Sequence, residues 1–406
     1  MPFAERLFLP LCALLLAGMA TLQISSVREE SQTWDEAMHL AAGYSYWKTG
    51  DFRINPEHPP LSKLMSALPL LWMDLRLPVD HPSWQKADQR EFGLQFLYYN
   101  RAPADVILFR ARLITVLATA ALGAAIAWWT RRRFGAGTAL VALAFYALDP
   151  NFTAHGRYVT SDVWVSLFSF LACALAAEYL LAGGLRYLWL AGVSTGLAVG
   201  SKFSALFLFI VLPLLWWLKW RKDGPPDVRK TLREAATVAG TTALVLALLY
   251  APELKRLLPQ PENAKLPRLA EKLDRTTGYG RVAYALANTL NLPELTLPLA
   301  IGLVLEHDRL GHPSYLGGKV RQKGRWYYFP AAFAVKAPTA LLLALPLAAA
   351  LLMLRAPRPL PNDGPGTVGF HIGYVARLES FQQLQRASCG RLHSHPPLVR
   401  RPKNFV

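Results

Sequence analysis

The chain has 406 residues, of which 53% are hydrophobic and only 17% charged, with 12 Trp and 30 Pro. Soluble globular domains carry about 25% charged residues, so a disordered chain is excluded and a soluble globular one does not fit. Forty-four Lys and Arg against 27 Asp and Glu leave a net charge of +17, and in a chain rich in apolar runs that excess marks cytoplasmic loops rather than a nucleic-acid surface.

A mostly apolar run of about 18 residues or more can cross a bilayer core of about 30 Å as a helix. Residues 7–26 form the first such run. The small residues Ala17, Gly18 and Ala20 leave a cleaved signal peptide as an alternative, and in either case the chain from Val27 lies outside. A long polar segment over 27–103 follows. Apolar runs then come at 110–129, at 136–148, which is short, at 162–181, at 187–218, at 235–250 and at 328–354. The 187–218 run is too long for one helix and is split near Gly200, Ser201 and Lys202, giving about eight spans in all. A second polar segment covers 252–325. Cys12, Cys173 and Cys389 are far apart and lack metal-ligand spacing, so neither a disulfide framework nor a zinc site is indicated.

Short cytoplasmic loops collect Lys and Arg. With the N-terminus inside, the inner loops hold Arg131–Arg133, Arg186, then Lys219, Arg221, Lys222, Arg229, Lys230 and Arg233, then Arg355 and Arg358, whereas the short outer turns hold only Arg157 and Lys202. Both long polar segments then share the outer side. The fold class is therefore an all-α polytopic membrane protein with two long extracytoplasmic segments.

The first outer segment carries adjacent carboxylates, Asp35 and Glu36, just after a span, with His39 one turn on. It continues through Asn55-Pro56-Glu57-His58-Pro59-Pro60-Leu61-Ser62-Lys63, where the proline pair stops any helix and Leu61 restarts one. The run DEAMHLAAGYSYWKTGDFRINPEHPPLSK resembles the first extracytoplasmic loop of the GT-C superfamily of polyprenyl-phosphate-sugar-dependent glycosyltransferases, the group of the protein O-mannosyltransferases and the aminoarabinose transferase of lipid A. Arg112 in LFRARLITVL, the turn PNFTAHGRYVTSD, the segment GLAVGSKFSALF and the stretch HPSYLGGKVRQKGRWYYFPAAFAVKAP extend the resemblance to about residues 7–355.

The resemblance implies a GT-C-like transmembrane domain over 1–355 in a cell (plasma or inner) membrane, with its active site on the extracytoplasmic side. It implies transfer of a sugar from a polyprenyl-phosphate donor to an acceptor hydroxyl on a glycan, lipid or protein, in one inverting displacement. Asp35 would be the base, with Glu36 shaping sugar or acceptor contacts, and Lys63, Arg112 and Lys202 would meet the departing phosphate. His58, His155, Asp162 and Lys336 are further candidate substrate contacts. Bland readings stand beside these: Lys202 as a snorkelling span end, Asp162 as an N-cap, and His58 and His155 as loop hydrogen-bonding residues. No cofactor is called for. A divalent ion on Asp35, Glu36 and Asp162 stays open, since no metal-spacing motif demands one. The polar tail over 356–406 lies outside the resemblance and is read as a truncated or frameshifted end. A secondary transporter built on a broken helix near residue 200 is the alternative.

Overall fold

The computed structural model describes residues 3–224, 227–254, 314–321 and 324–355. The chain divides into two units, Met1–Ala332 and Phe333–Val406.

In the first unit, the apolar runs become helices that alternate between two ends of a bundle. These are α1 (Phe3–Val27), α6 (Ala104–Phe134), α7 (Ala136–Ala147), α9 (Asp162–Ala182), α10 (Leu185–Ser201), α11 (Leu208–Asp223) and α12 (Val228–Leu249). Ion pairs tie each end. At one end Arg131 reaches Glu5 at 2.7 Å, and Arg132 and Arg133 both donate to the buried Glu178. At the other, the Gln23 amide donates to the carbonyls of Phe152 and Thr153, Arg157 pairs with Glu30 at 2.6 Å, and Lys202 pairs with Asp162 at 2.6 Å.

Among the described residues, five helices are long and apolar enough to cross a membrane, or six if one bent pair counts as a span. Two of the expected spans, α7 and α10, fall short of that length. At 1.5 Å per residue, α7 with its 12 residues is only about 18 Å long and α10 with 17 about 26 Å. Yet α7 leaves Gly135, beside the Arg131–Arg133 end, and leads into a short helix α8 (Pro150–His155) at the Gln23 end, so it still carries the chain from end to end. The expected break at Lys202 is present: that residue is extended, with φ −157° and ψ 135°, between α10 and a 3₁₀ turn at Phe203–Phe207.

The helix pair α10–α12 owes its closeness to a glycine stripe. A Cβ on Gly192 would lie 1.8 Å from Thr241 Oγ1, one on Gly196 2.7 Å from Val245 and one on Gly200 2.4 Å from Leu249. Small residues at four-residue spacing let helix backbones touch. Thr242 then donates to the Gly192 carbonyl at 3.0 Å.

The 27–103 segment, expected as a polar loop, folds on itself around its own core. It contains α2 (Glu36–Thr49), α3 (Leu61–Ala67), α4 (Pro82–Gln85) and α5 (Gln89–Tyr98). Leu40, Phe52, Ile54, Phe92 and Phe96 are fully or almost fully buried and pack with Ile107, Leu108 and Ala111 of α6. Burying such side chains contributes roughly 1.5–3 kcal/mol each, which seats α2 firmly on the end of the bundle.

Beyond a short helix α13 (Ala251–Leu254) and an antiparallel hairpin of β1 (Ser314–Leu316) and β2 (Lys319–Arg321), the helix α14 (Tyr328–Lys336) leads into the second unit. There the run expected as a single span is broken: α14 and α15 (Thr339–Arg355) meet at 109° across Ala337 and Pro338. Pro338 lacks an N–H and disfavours helix in the residue before it, which accounts for the break.

Candidate functional site

Asp35 and Glu36 are neighbours with opposite surroundings. Glu36 and Arg112 are both completely enclosed. The guanidinium spends all five of its N–H groups: Nε and Nη2 on the two Glu36 oxygens at 2.8 and 2.6 Å, the remaining Nη2 hydrogen on the Ser31 carbonyl, and Nη1 on the carbonyls of Val27 and Glu30. Glu36 also accepts from the backbone N–H groups of Thr33 and Val159. This pair winds the 27–36 connection around α6 and fixes the start of α2.

Asp35 stands at the N-cap of α2 without making a capping hydrogen bond, and its side chain reaches solvent. Its carboxyl is pushed above the ordinary range by partial desolvation first and by the negative charge of Asp162 next; Lys202 pulls the other way, and Glu57 and Glu36 add to the rise. Asp162 and Lys202, 2.6 Å apart, are half open, with side-chain exposures of 56% and 35%. On its other side Asp162 lines an open groove of about 330 Å³ with Asn151, Phe152, His155, Gly156 and Ser166. A carboxylate with a raised pKa beside an accessible ammonium and an open groove is an arrangement suited to general-base chemistry on an anionic substrate.

The wall of this site is the turn over residues 55–58. Asn55 has φ 56°, a left-handed conformation that Asn tolerates better than most residues. Its Nδ2 and the Gln89 Nε2 both donate to Glu57. The His58 ring meets the His39 ring edge to face at 5.1 Å, and His39 Nδ1 lies 3.0 Å from the Val159 carbonyl. Burial holds His39 well below the ordinary histidine range and His58 down at about 4, so both rings are neutral at pH 7. Lys63, fully enclosed, donates to Tyr46 Oη at 2.8 Å and to the carbonyls of Asn55 and His58 at 2.7 Å each. Desolvation lowers its ammonium to about 7, against a raising effect of Glu57.

The structure brings Asp35, His58, Asp162, Lys202 and, along the groove, His155 to one end of the bundle. Two expected phosphate ligands are differently placed: Arg112 and Lys63 are sealed from solvent with every N–H committed, so neither offers a donor at the surface of the site. Glu36 is likewise spent on Arg112. For the same reason Asp35, Glu36 and Asp162 do not converge on an ion, and no group of three His, Cys, Asp or Glu side chains could hold a metal among the described residues. Lys336 is exposed and belongs to the second unit. The outer segment over 252–325 lies largely outside the described residues, and the tail wholly so. Glu57, Gln89 and Val159 were not singled out from the sequence; for Glu57 the signal was its place inside the Asn-Pro-Glu-His-Pro-Pro run, whereas Val159 contributes only backbone groups, which no side-chain pattern reveals.

Residues 105–251 match the family model described as dolichyl-phosphate-mannose-protein mannosyltransferase. No curated protein matches the chain. Among solved structures, the protein O-mannosyltransferase Pmt1-Pmt2 complex of S. cerevisiae bound to the sugar donor is similar at 17% identity and a TM-score of 0.45, over 63% of this chain and 37% of that one. The chain thus spans little more than a third of the length of that relative. The family match covers α6 to α12, so it is this central stretch that is similar to the dolichyl-phosphate-mannose-protein mannosyltransferases.

Proposed function

We propose that this protein is an integral-membrane glycosyltransferase that moves a sugar from a polyprenyl-phosphate donor to an acceptor hydroxyl at the outer face of a cell membrane. The observation that carries this reading is the division of labour between adjacent carboxylates: Glu36 is wholly committed to Arg112, while Asp35 is open, uncommitted and electrostatically coupled to Lys202. Asp35 takes the acceptor proton as the acceptor oxygen bonds to the sugar's anomeric carbon. The bond from that carbon to the phosphate oxygen breaks, its electrons leave with the polyprenyl phosphate, and the Lys202 ammonium meets that charge. Attack from one face with departure from the other inverts the anomeric centre.

The outer-face assignment rests on charge. Arg131–Arg133 and the basic residues of α11 and α12 mark the end of the bundle opposite Asp35, as cytoplasmic loops require. A transporter has less support, because the break at Lys202 holds an ion pair rather than unpaired backbone lining a cavity. The test is release of polyprenyl phosphate from a lipid-linked sugar by the purified protein. Asp35→Asn should lower turnover by about 10²-fold or more, and retention of over half the activity in a folded variant would overturn the assignment.

A further inference from the structure

The turn over residues 55–58 is built around a cation. The carbonyl oxygens of Asn55 and His58 and the Tyr46 hydroxyl converge on Lys63 Nζ, with Asn55 Oδ1 a fourth, longer neighbour at 3.3 Å. Carbonyl dipoles aimed at one point repel each other unless a donor stands between them, and an ammonium with three N–H groups matches three close acceptors. The Tyr46 hydroxyl passes its own proton on to the Ile54 carbonyl, so the residue before the turn is tied in as well.

Lys63 also cannot swing out to a ligand. A Cβ on Gly43 would lie 2.1 Å from the Lys63 carbonyl oxygen and 3.0 Å from Ala67 Cβ, so α2 and α3 are in backbone contact where Lys63 leaves α3. Trp47 Nε1 donates to the Leu64 carbonyl at 2.8 Å and closes the same interface. Freeing the ammonium would mean parting these helices.

Resting on the transferase reading above, we propose that Lys63 is a positioning residue, whose ammonium holds the 55–58 turn in the shape that presents Glu57 and His58 to Asp35, and that it does not bind the donor phosphate. Glu57 lies in the field of Asp35, and His58 lies against His39, which is anchored to Val159, whose N–H in turn holds Glu36 beside Asp35. The clamp therefore sets the turn that carries Glu57 into the field of Asp35 and His58 against His39.

The test compares wild type, Lys63→Met and, as a milder variant, Asn55→Ala in detergent. Three readouts are taken: hydrogen exchange of the backbone amides over 52–60, equilibrium binding of polyprenyl monophosphate, and turnover of the lipid-linked sugar. Faster exchange over 52–60 is expected in both variants, with polyprenyl monophosphate affinity within about threefold of wild type and turnover lower by roughly 10- to 100-fold, the range for lost alignment. Affinity falling about 10-fold or more with exchange unchanged would make Lys63 a donor ligand and overturn the proposal. If Lys63→Met does not fold, Asn55→Ala decides: unchanged exchange or turnover within about twofold of wild type refutes the clamp. Should wild type turn over no lipid-linked sugar, the transferase reading fails, while exchange and binding still judge the clamp.

Discussion

Substituting Asp35 and Glu36 one at a time should separate chemistry from architecture. Glu36→Gln replaces an enclosed carboxylate that accepts from Arg112 Nε and Nη2 and from the N–H groups of Thr33 and Val159. The amide keeps one acceptor oxygen but turns an NH₂ toward donors, and it leaves the guanidinium buried without a counter-charge. Removing one partner of a buried ion pair costs about 3–5 kcal/mol. Part of this is recovered because Arg112 still reaches the carbonyls of Val27, Glu30 and Ser31, so about 2–4 kcal/mol is expected, a large share of a typical stability of 5–15 kcal/mol. Thermal unfolding in detergent should move down by several degrees, with activity at low temperature recovering in the fraction that stays folded. Asp35→Asn, which breaks no hydrogen bond of the native side chain, should leave the unfolding temperature in place and remove turnover. An unshifted unfolding temperature for Glu36→Gln with turnover lost would show that Glu36 acts in the reaction and would refute the division of roles.

Lys202→Gln should weaken binding of polyprenyl monophosphate by about 10- to 150-fold, since a charge-assisted contact contributes about 1.5–3 kcal/mol; unchanged affinity would return Lys202 to a snorkelling role. Turnover should rise with pH through the Asp35 pKa, above the usual carboxylate value of about 4, because the base must be ionised. It should fall again near pH 7 as Lys63, facing Glu57 and His58, loses one of the N–H groups its acceptors need. Stability should respond with the opposite sign there: the folded Lys63 pKa of about 7 lies below the unfolded 10.5, so the cost of its buried charge is full below 7 and relieved as pH climbs from 7 to 10.5. A turnover profile flat above pH 7 would count against the clamp. For orientation, a cysteine at the exposed Asp80 should react with a membrane-impermeant thiol reagent in intact cells and one at Asp223 should not; the reverse pattern would place the site on the cytoplasmic side.

Run length and charge bias determined the helical membrane class, the alternation of the chain between a basic end and a site end, and the break at Lys202, because burial of apolar length and exclusion of Lys and Arg from lipid act on local composition. The Asp35, Glu36 and Lys63 triplet was also legible, as a pattern. What the pattern could not assign was the role of each member. Glu36 and Arg112 are 76 residues apart in the chain, and only their meeting inside the fold turns two candidate site residues into a structural pair. Lys63 reads as a surface cation until α2 and α3 touch at Gly43 and close over it. Tertiary packing decides such matters because the cost of burying a charge, and the partner that offsets it, depend on groups distant in sequence.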